Sequence, residues 1–255
     1  KLTQAQQRVI DEVTADCLRA IPMTRLIQGD VGCGKTIVCA FAALLATTAG
    51  FQVAIMAPTE LLAEQHFVNF ENWFKPLSIQ VDYLSGQLKG KARQQVLQAL
   101  ASGQSQIIVG THALFQDQVE FSRLGLVIID EQHRFGVHQR LALKDKGSGE
   151  GFKPHQLMMT ATPIPRTLAM LQYSDLDISI IDELPPGRIP AVTRVISAQR
   201  RQQVIDRIQG WVESKRQAYW VCTLIEESEL LQCEAAEKTS ATLTEQLPGD
   251  RKSVV

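Results

Sequence analysis

The sequence has no C-x-x-C pair and no histidine at metal-ligand spacing from a cysteine. Its five cysteines, Cys17, Cys33, Cys39, Cys222 and Cys233, are odd in number and follow no pattern. That argues against a disulfide framework or a zinc ribbon and fits a reducing compartment. A long hydrophobic run is missing as well. The longest apolar stretch, residues 37–49, is shorter than the ~20 residues a membrane span needs. No signal peptide is visible. Charge of one sign is not in excess: 26 Lys and Arg face 27 Asp and Glu, for a net charge of −1. No global field would draw a polyanion, so any nucleic-acid site must be local, built from oriented amides and a few basic side chains. There is no internal repeat and no low-complexity tract. With 45% hydrophobic and 21% charged residues the balance is that of an ordinary globular protein. A length of 255 residues allows one large domain or one and a half. The chain opens on KLTQAQQ, without methionine, which reads as a piece of something longer.

What is present is a rhythm. Short apolar runs at 25–28, 52–57, 80–84, 106–109, 126–129, 156–159 and 176–181 are predicted strands. Helical patterns fill 4–20, 35–48, 60–75 and 89–102 between them. Strands that alternate with helices, and that are apolar along their whole length, predict an α/β fold with a parallel sheet covered on both faces. ELPPGRIP, Glu183 to Pro190, breaks the rhythm, because Pro185-Pro186-Gly187 continues neither helix nor strand. Beyond it the pattern restarts with strand-like 191–196, helix-like 199–214, strand-like 218–222 and a helix from Glu229. The expected organisation is a domain over 1–184, a linker over 185–190 and the incomplete start of a second α/β domain over 191–255.

GDVGCGKT, Gly29 to Thr36, fits G-x-x-x-x-G-K-[ST] between a predicted strand and a predicted helix. The backbone of Gly29, Asp30, Val31, Gly32, Cys33 and Gly34 can then cradle phosphates with its amides, helped by the dipole of the following helix. Lys35 reaches the β- and γ-phosphates and the Thr36 hydroxyl binds Mg²⁺. The competing reading is a glycine-rich turn without a ligand, which the full motif in its full context disfavours. Cys33 is either a thiol activated by the helix N-terminus or a small filler whose amide does the binding; the filler is preferred. A phosphate loop needs a second acidic site, expected at the end of a strand beside the loop's own strand. Leu126-Val127-Ile128-Ile129 leads into Asp130 and Glu131, so both carboxylates emerge where α/β sheets bind ligands. Asp130 is the candidate Mg²⁺ partner and Glu131 the candidate base for the attacking water. Taken alone, the pair could be a solvated helix start.

These motifs together resemble the first motor domain of superfamily-two helicases and translocases. Asp130-Glu131-Gln132-His133 is a DEQH box. Leu2-Thr3-Gln4-Ala5-Gln6 resembles the upstream motif whose last glutamine, here Gln6, reads adenine. Ala57-Pro58-Thr59-Glu60 onward and Val109-Gly110-Thr111-His112-Ala113-Leu114 resemble the two motifs that touch the nucleic-acid backbone. TATPIPRT, from Thr160 through Thr162 and Arg166 to Thr167, resembles the motif that couples hydrolysis to strand movement. The strings DEQHRFGVHQR, TATPIPRTLAM, DELPPGR and QAYWVCTLIEESELL are similar to bacterial helicases that remodel branched DNA. Two of these strings are shared with the transcription-repair coupling translocase, which stays as an alternative. A non-motor P-loop switch is another.

The resemblance implies a RecA-like P-loop motor fold, with ATP and Mg²⁺ as cofactors and Lys35 and Glu131 as catalytic residues. DNA backbone contacts fall to Pro58, Thr59, Thr111 and His112, where the bland reading is helix capping without a ligand. Gln132 and His133 would bridge the nucleotide to Thr160 and Thr162. The implied partner is branched double-stranded DNA at stalled forks and junctions, with single-strand-binding protein as a further candidate. The implied setting is a monomer in the bacterial cytoplasm, at the nucleoid and away from membranes. With one motor lobe whole, this chain alone is expected to bind nucleotide weakly and to turn over little. The basic run from Lys89 to Arg93 is read as a solvated face. Trp73, Trp211 and Trp220 are read as core packing before base stacking.

Overall fold

The computed structural model describes residues 1–131, 153–162, 176–189, 191–222 and 236–246. Contacts divide the chain into two compact units, Lys1–Arg188 and Ile189–Val255.

The first unit opens with α1 (Gln4–Cys17), then β1 (Thr24–Gly29), α2 (Lys35–Thr48), β2 (Gln52–Met56), α3 (Glu60–Phe74), β3 (Val81–Leu84) and α4 (Gly90–Ala101). It continues with β4 (Ile107–Gly110), a 3-10 turn (His112–Phe115), β5 (Leu124–Asp130), β6 (His155–Thr160) and β7 (Asp177–Ile181). The seven strands form one sheet in the order β3-β4-β2-β5-β6-β1-β7, every neighbouring pair parallel. Each expected strand and helix of this unit is present, with ends shifted by up to three residues.

Side chains alternate between the faces along the inner strands, as a pleated strand requires. Ile27, Val53, Ile55, Ile107, Val109, Leu126, Ile128, Leu157 and Met159 pack with α1, α2 and α3. Leu26, Ala54, Met56, Ile108, Val127, Ile129 and Met158 face the other way, towards Leu100 of α4 and the His112–Phe115 turn. Both faces are therefore dry, and the polar ends of the strands become the places where chemistry can occur.

The sheet order corrects one expectation. β5, which ends in Asp130, does not lie beside β1. β6 stands between them, with Asp130 opposite Met159 and Gln28 opposite Thr160. Two strand spacings, about 9.5 Å, therefore separate the carboxylate strand from the loop strand. That gap is wide enough to hold a phosphate and its cation between them, and it puts Thr160 in the middle.

The opposite end of β1 is closed by charge. The Arg25 guanidinium donates from Nε and Nη2 to Asp16 Oδ2 at 2.8 and 2.6 Å and from Nη1 to Ser179 Oγ at 2.7 Å. Glu12 adds a contact at 3.4 Å and Asp177 one at 3.7 Å. The segment after β7 also holds α1: the Ala5 amide donates to Glu183 Oε2 at 3.0 Å, and Arg8 Nη2 donates to Asp182 Oδ1 at 3.1 Å.

In the second unit a 3-10 turn (Ala198–Arg200) leads into α5 (Arg201–Glu213), and α6 covers Ala236–Gln246. The strands expected at 191–196 and 218–222 are irregular here, with Val192, Val195, Tyr219 and Val221 exposed. A β-run becomes a strand only when a neighbour takes its N–H and C=O groups, and among the described residues none pairs with either. The tryptophan expectation also needs correcting: Trp73 and Trp211 are 39% and 40% exposed, resting on Phe70 and under Arg207 rather than in a core. Lys89 and Lys91 are exposed, as a solvated face requires.

Candidate nucleotide site and nucleic-acid rim

The loop between β1 and α2 has the shape its glycines allow. Gly34 is the N-cap of α2 with φ +92°, a left-handed conformation that side chains resist. A Cβ there would also collide with the Gln6 carboxamide, and one on Gly32 with the Arg188 guanidinium. Asp30, Val31 and Gly32 are exposed, while Gly29 and Cys33 are buried. The Cys33 side chain sits beneath Gly29, which supports the filler reading. Lys35 Nζ turns back across the loop and donates to the Gly29 and Asp30 carbonyls at 2.8 and 3.1 Å. Its charge thus rests on neutral main-chain oxygens, which a phosphate would outcompete. Lys35 and Thr36 open α2, at the end where a helix presents unpaired amides.

Gln6 meets this loop in a way the sequence reading did not foresee. Its Nε2 donates to the Cys33 carbonyl at 2.8 Å, and its Oε1 accepts from the Thr3 amide at 2.9 Å. Thr3 Oγ1 accepts from the Gln6 amide in return, which completes a capping box at the head of α1. The side chain expected to read adenine therefore supports the phosphate loop in this structure. Arg188 was not anticipated at all, and it lies over Gly32 from the segment that follows Pro185-Pro186-Gly187.

At the end of β5 the two carboxylates separate. Asp130 Oδ1 accepts from the Glu131 amide at 3.0 Å, and Oδ2 lies 2.7 Å from His66 Nε2. Glu131 has φ +48°, a left-handed backbone for a residue with a side chain. Such conformations cost about 1–3 kcal/mol and gather at functional sites. The turn aims Glu131 away from Asp130 and onto β6, where Thr160 Oγ1 donates to Glu131 Oε2 at 3.4 Å. Thr160 Oγ1 also accepts from the Thr162 amide at 3.1 Å. Glu131 itself thus contacts the segment to which Gln132 and His133 were expected to bridge. Gln132, His133 and Arg166 lie outside the described residues.

Lys35 and Asp130 act on a shared neighbour. The buried Cys39 thiol, one turn along α2 from Lys35, has its pKa pushed well up by burial and further by Asp130, while Lys35 opposes the rise. Because β1, β6 and β5 run parallel, the loop after β1 and the carboxylates after β5 lie at the same end of the sheet. Magnesium takes hard oxygen ligands and keeps waters and substrate phosphates in its shell. The Thr36 hydroxyl and Asp130 carboxylate are such donors, and no cluster of three His, Cys, Asp or Glu among the described residues offers an all-protein cage.

The candidate DNA contacts lie on the same rim. Thr59 is exposed and caps α3, accepting from the Leu62 amide at 3.3 Å, with Pro58 half-buried before it. Thr111 differs from expectation. It is 2% exposed, and its hydroxyl is buried with no hydrogen-bond partner among the described residues. Of that pair only His112 is exposed.

Parallel sheet, phosphate loop and offset acidic strand together form a P-loop domain. The family model described as DEAD/DEAH box helicase matches residues 3–171, and the chain belongs to that family. Among its relatives, the ATP-dependent DNA helicase RecG of Escherichia coli (strain K12) is 63% identical over 249 residues, covering 97% of this chain and 36% of that protein. The ATP-dependent DNA helicase RecG of Haemophilus influenzae is 61% identical over 247 residues, covering 96% of this chain and 36% of that protein. A solved structure of RecG bound to a three-way DNA junction superposes with a TM-score of 0.80 at 38% identity, over 96% of this chain and 31% of that one. The chain thus spans about a third of the length of the curated relatives it matches.

Proposed function

We propose that this chain is the ATP-binding part of a DNA helicase that remodels branched DNA in recombination and repair. The observation that carries the reading is the contact from Glu131 to Thr160, on the strand between the phosphate loop and Asp130. It ties the residue beside the water that attacks the γ-phosphate to the segment that feels the result. The similarity to RecG over nearly the whole chain supplies the branched substrate.

In this reading the loop amides and Lys35 hold the β- and γ-phosphates of ATP, and Thr36 and Asp130 hold Mg²⁺, which supplies charge neutralisation at the reacting phosphate. Glu131 orients the nucleophilic water and takes its proton, with Thr160 fixing the carboxylate. Pro58, Thr59 and the exposed His112 meet the DNA backbone without reading sequence. Gln132, His133 and Arg166 complete the coupling path. Residues 1–184 form the first motor lobe, 185–190 the linker and 191–255 the start of the second lobe. The protein works as a monomer in the bacterial cytoplasm at the nucleoid, with single-strand-binding protein as a further partner. No helix among the described residues is long and apolar enough to cross a membrane.

The test is Glu131→Gln made in the full-length protein, where wild type hydrolyses ATP, followed by ATP binding and by single-turnover hydrolysis with three-way junction DNA present. ATP affinity should stay within a few-fold, while hydrolysis should fall by about 10²–10⁴. Equal hydrolysis in both proteins would remove Glu131 from the mechanism and favour a binding switch.

A further inference from the structure

Asp130 has a side-chain partner that no motif predicts. His66 lies on the buried stripe of α3, with Ala63, Phe70 and Phe74, and is 7% exposed. Its Nε2 is 2.7 Å from Asp130 Oδ2. An ionised carboxylate only accepts, so Nε2 carries the proton and donates. Nδ1 is buried with no hydrogen-bond partner among the described residues.

We infer that His66 is a positioning residue for the metal-binding carboxylate. The inference rests on the reading of Asp130 as a Mg²⁺ ligand. The Asp130 carboxylate is held at both oxygens, by the Glu131 amide at one and the imidazole at the other. The amide belongs to the next residue and moves with the strand end. The imidazole is delivered from a separate helix packed on the sheet, and it fixes the direction in which the carboxylate's remaining lone pairs point. Groups that hydrogen-bond to ligating carboxylates orient them, and losing one costs about 10–100-fold in metal affinity. His66 acts through Asp130 in this arrangement: its Nε2 faces the carboxylate and its Nδ1 is buried within the protein.

The test titrates Mg²⁺ against binding of a fluorescent ATP analogue in this chain. It compares wild type, His66→Ala, His66→Leu and His66→Gln, with Lys35→Ala as the control for the phosphate loop. A glutamine amide can place an N–H where Nε2 stands, whereas leucine keeps apolar volume without a donor. His66→Ala and His66→Leu are expected to need about 10–100-fold more Mg²⁺ for half-maximal binding. Their Mg²⁺-free nucleotide affinity should be unchanged, and His66→Gln should recover to within a few-fold of wild type. Wild-type Mg²⁺ curves for both apolar variants overturn the inference. So does an equal shift in all three, which would mark a packing role. If His66→Ala does not fold, the contrast between the leucine and glutamine variants decides. Wild type that binds the analogue with no Mg²⁺ dependence would instead overturn Asp130 as a ligand, and loss of the Lys35→Ala effect would overturn the nucleotide site.

Discussion

The two ends of β1 treat positive charge in opposite ways. At its start, Arg25 is enclosed by Asp16, Glu12 and Asp177, with Ser179 filling its remaining donor. Just past its end, Lys35 has only the main-chain carbonyls of Gly29 and Asp30, and no carboxylate within ion-pair distance among the described residues. A cation locked to side-chain anions has no charge left to offer a ligand. One resting on neutral carbonyls can turn to a phosphate at the cost of two ordinary hydrogen bonds. Arg25 and Lys35 thus divide the strand into an end whose charge is spent within the fold and an end whose charge is available to the proposed ligand.

The largest effect should come from breaking the first end. Arg25→Ala leaves the buried Asp16 carboxylate without its main partner and should destabilise the first unit by about 3–5 kcal/mol, read as a shifted denaturant midpoint. Lys35→Ala should separate the two ends. ATP affinity should fall by about 10–100-fold, the loss of a charge-assisted contact of ~1.5–3 kcal/mol, with the denaturation midpoint nearly unmoved. A comparable loss of stability in both variants would erase the distinction. Gly34→Ala sharpens it at the binding end. The left-handed backbone and the crowding of Gln6 should together cost about 1–3 kcal/mol, and calorimetry of ATP binding should show a weaker site. Thr59→Ala should remove the α3 cap, at about 1 kcal/mol on the denaturant midpoint, and with it the hydroxyl proposed to meet the DNA backbone.

The smallest effect is one of pH, and it belongs to the first end. His155 Nδ1 accepts from the Met23 amide at 2.9 Å, so the bond needs that nitrogen unprotonated. Burial lowers the His155 pKa below its usual 6.5, and Asp16 only partly opposes this. Between the folded and unfolded values the unfolded chain binds more protons. Stability is therefore complete above about pH 6.5 and declines as pH falls below it. His155→Asn, which keeps an acceptor and loses the titration, should flatten the stability profile between about pH 5 and 7.

Much of the first unit could be read from the sequence because its strands are uninterrupted apolar runs and its helices begin at strong signals. Lys35 to Thr48 was predicted to the residue, since the phosphate loop fixes the start of α2. Within the site, what could be read was whatever lay inside one motif. Contacts between motifs could not be read. His66 carries no local mark beyond its place among Ala63, Phe70 and Phe74, and its meaning appears only when α3, packed over β3 and β4, brings it to the end of β5. The role of Gln6 was available in part, because Thr3-x-x-Gln6 is a capping-box pattern, but the adenine motif overshadowed it. The runs at 191–196 and 218–222 show the opposite failure. Their β-propensity is real, yet propensity gives no strand without a paired neighbour.

The insertion of β6 between β1 and β5 has a mechanical consequence. β6 is hydrogen-bonded along its length to both, and slipping either ladder by one residue would turn Leu157, Met158 and Met159 to the wrong faces of the sheet. The spacing between the carboxylate strand and the phosphate loop is accordingly a fixed gauge, set when the protein folds and not adjustable during a catalytic cycle. In the proposed motor, movement that follows loss of a phosphate would therefore start in the loops beyond the strand tips, with the sheet as the anvil they work against.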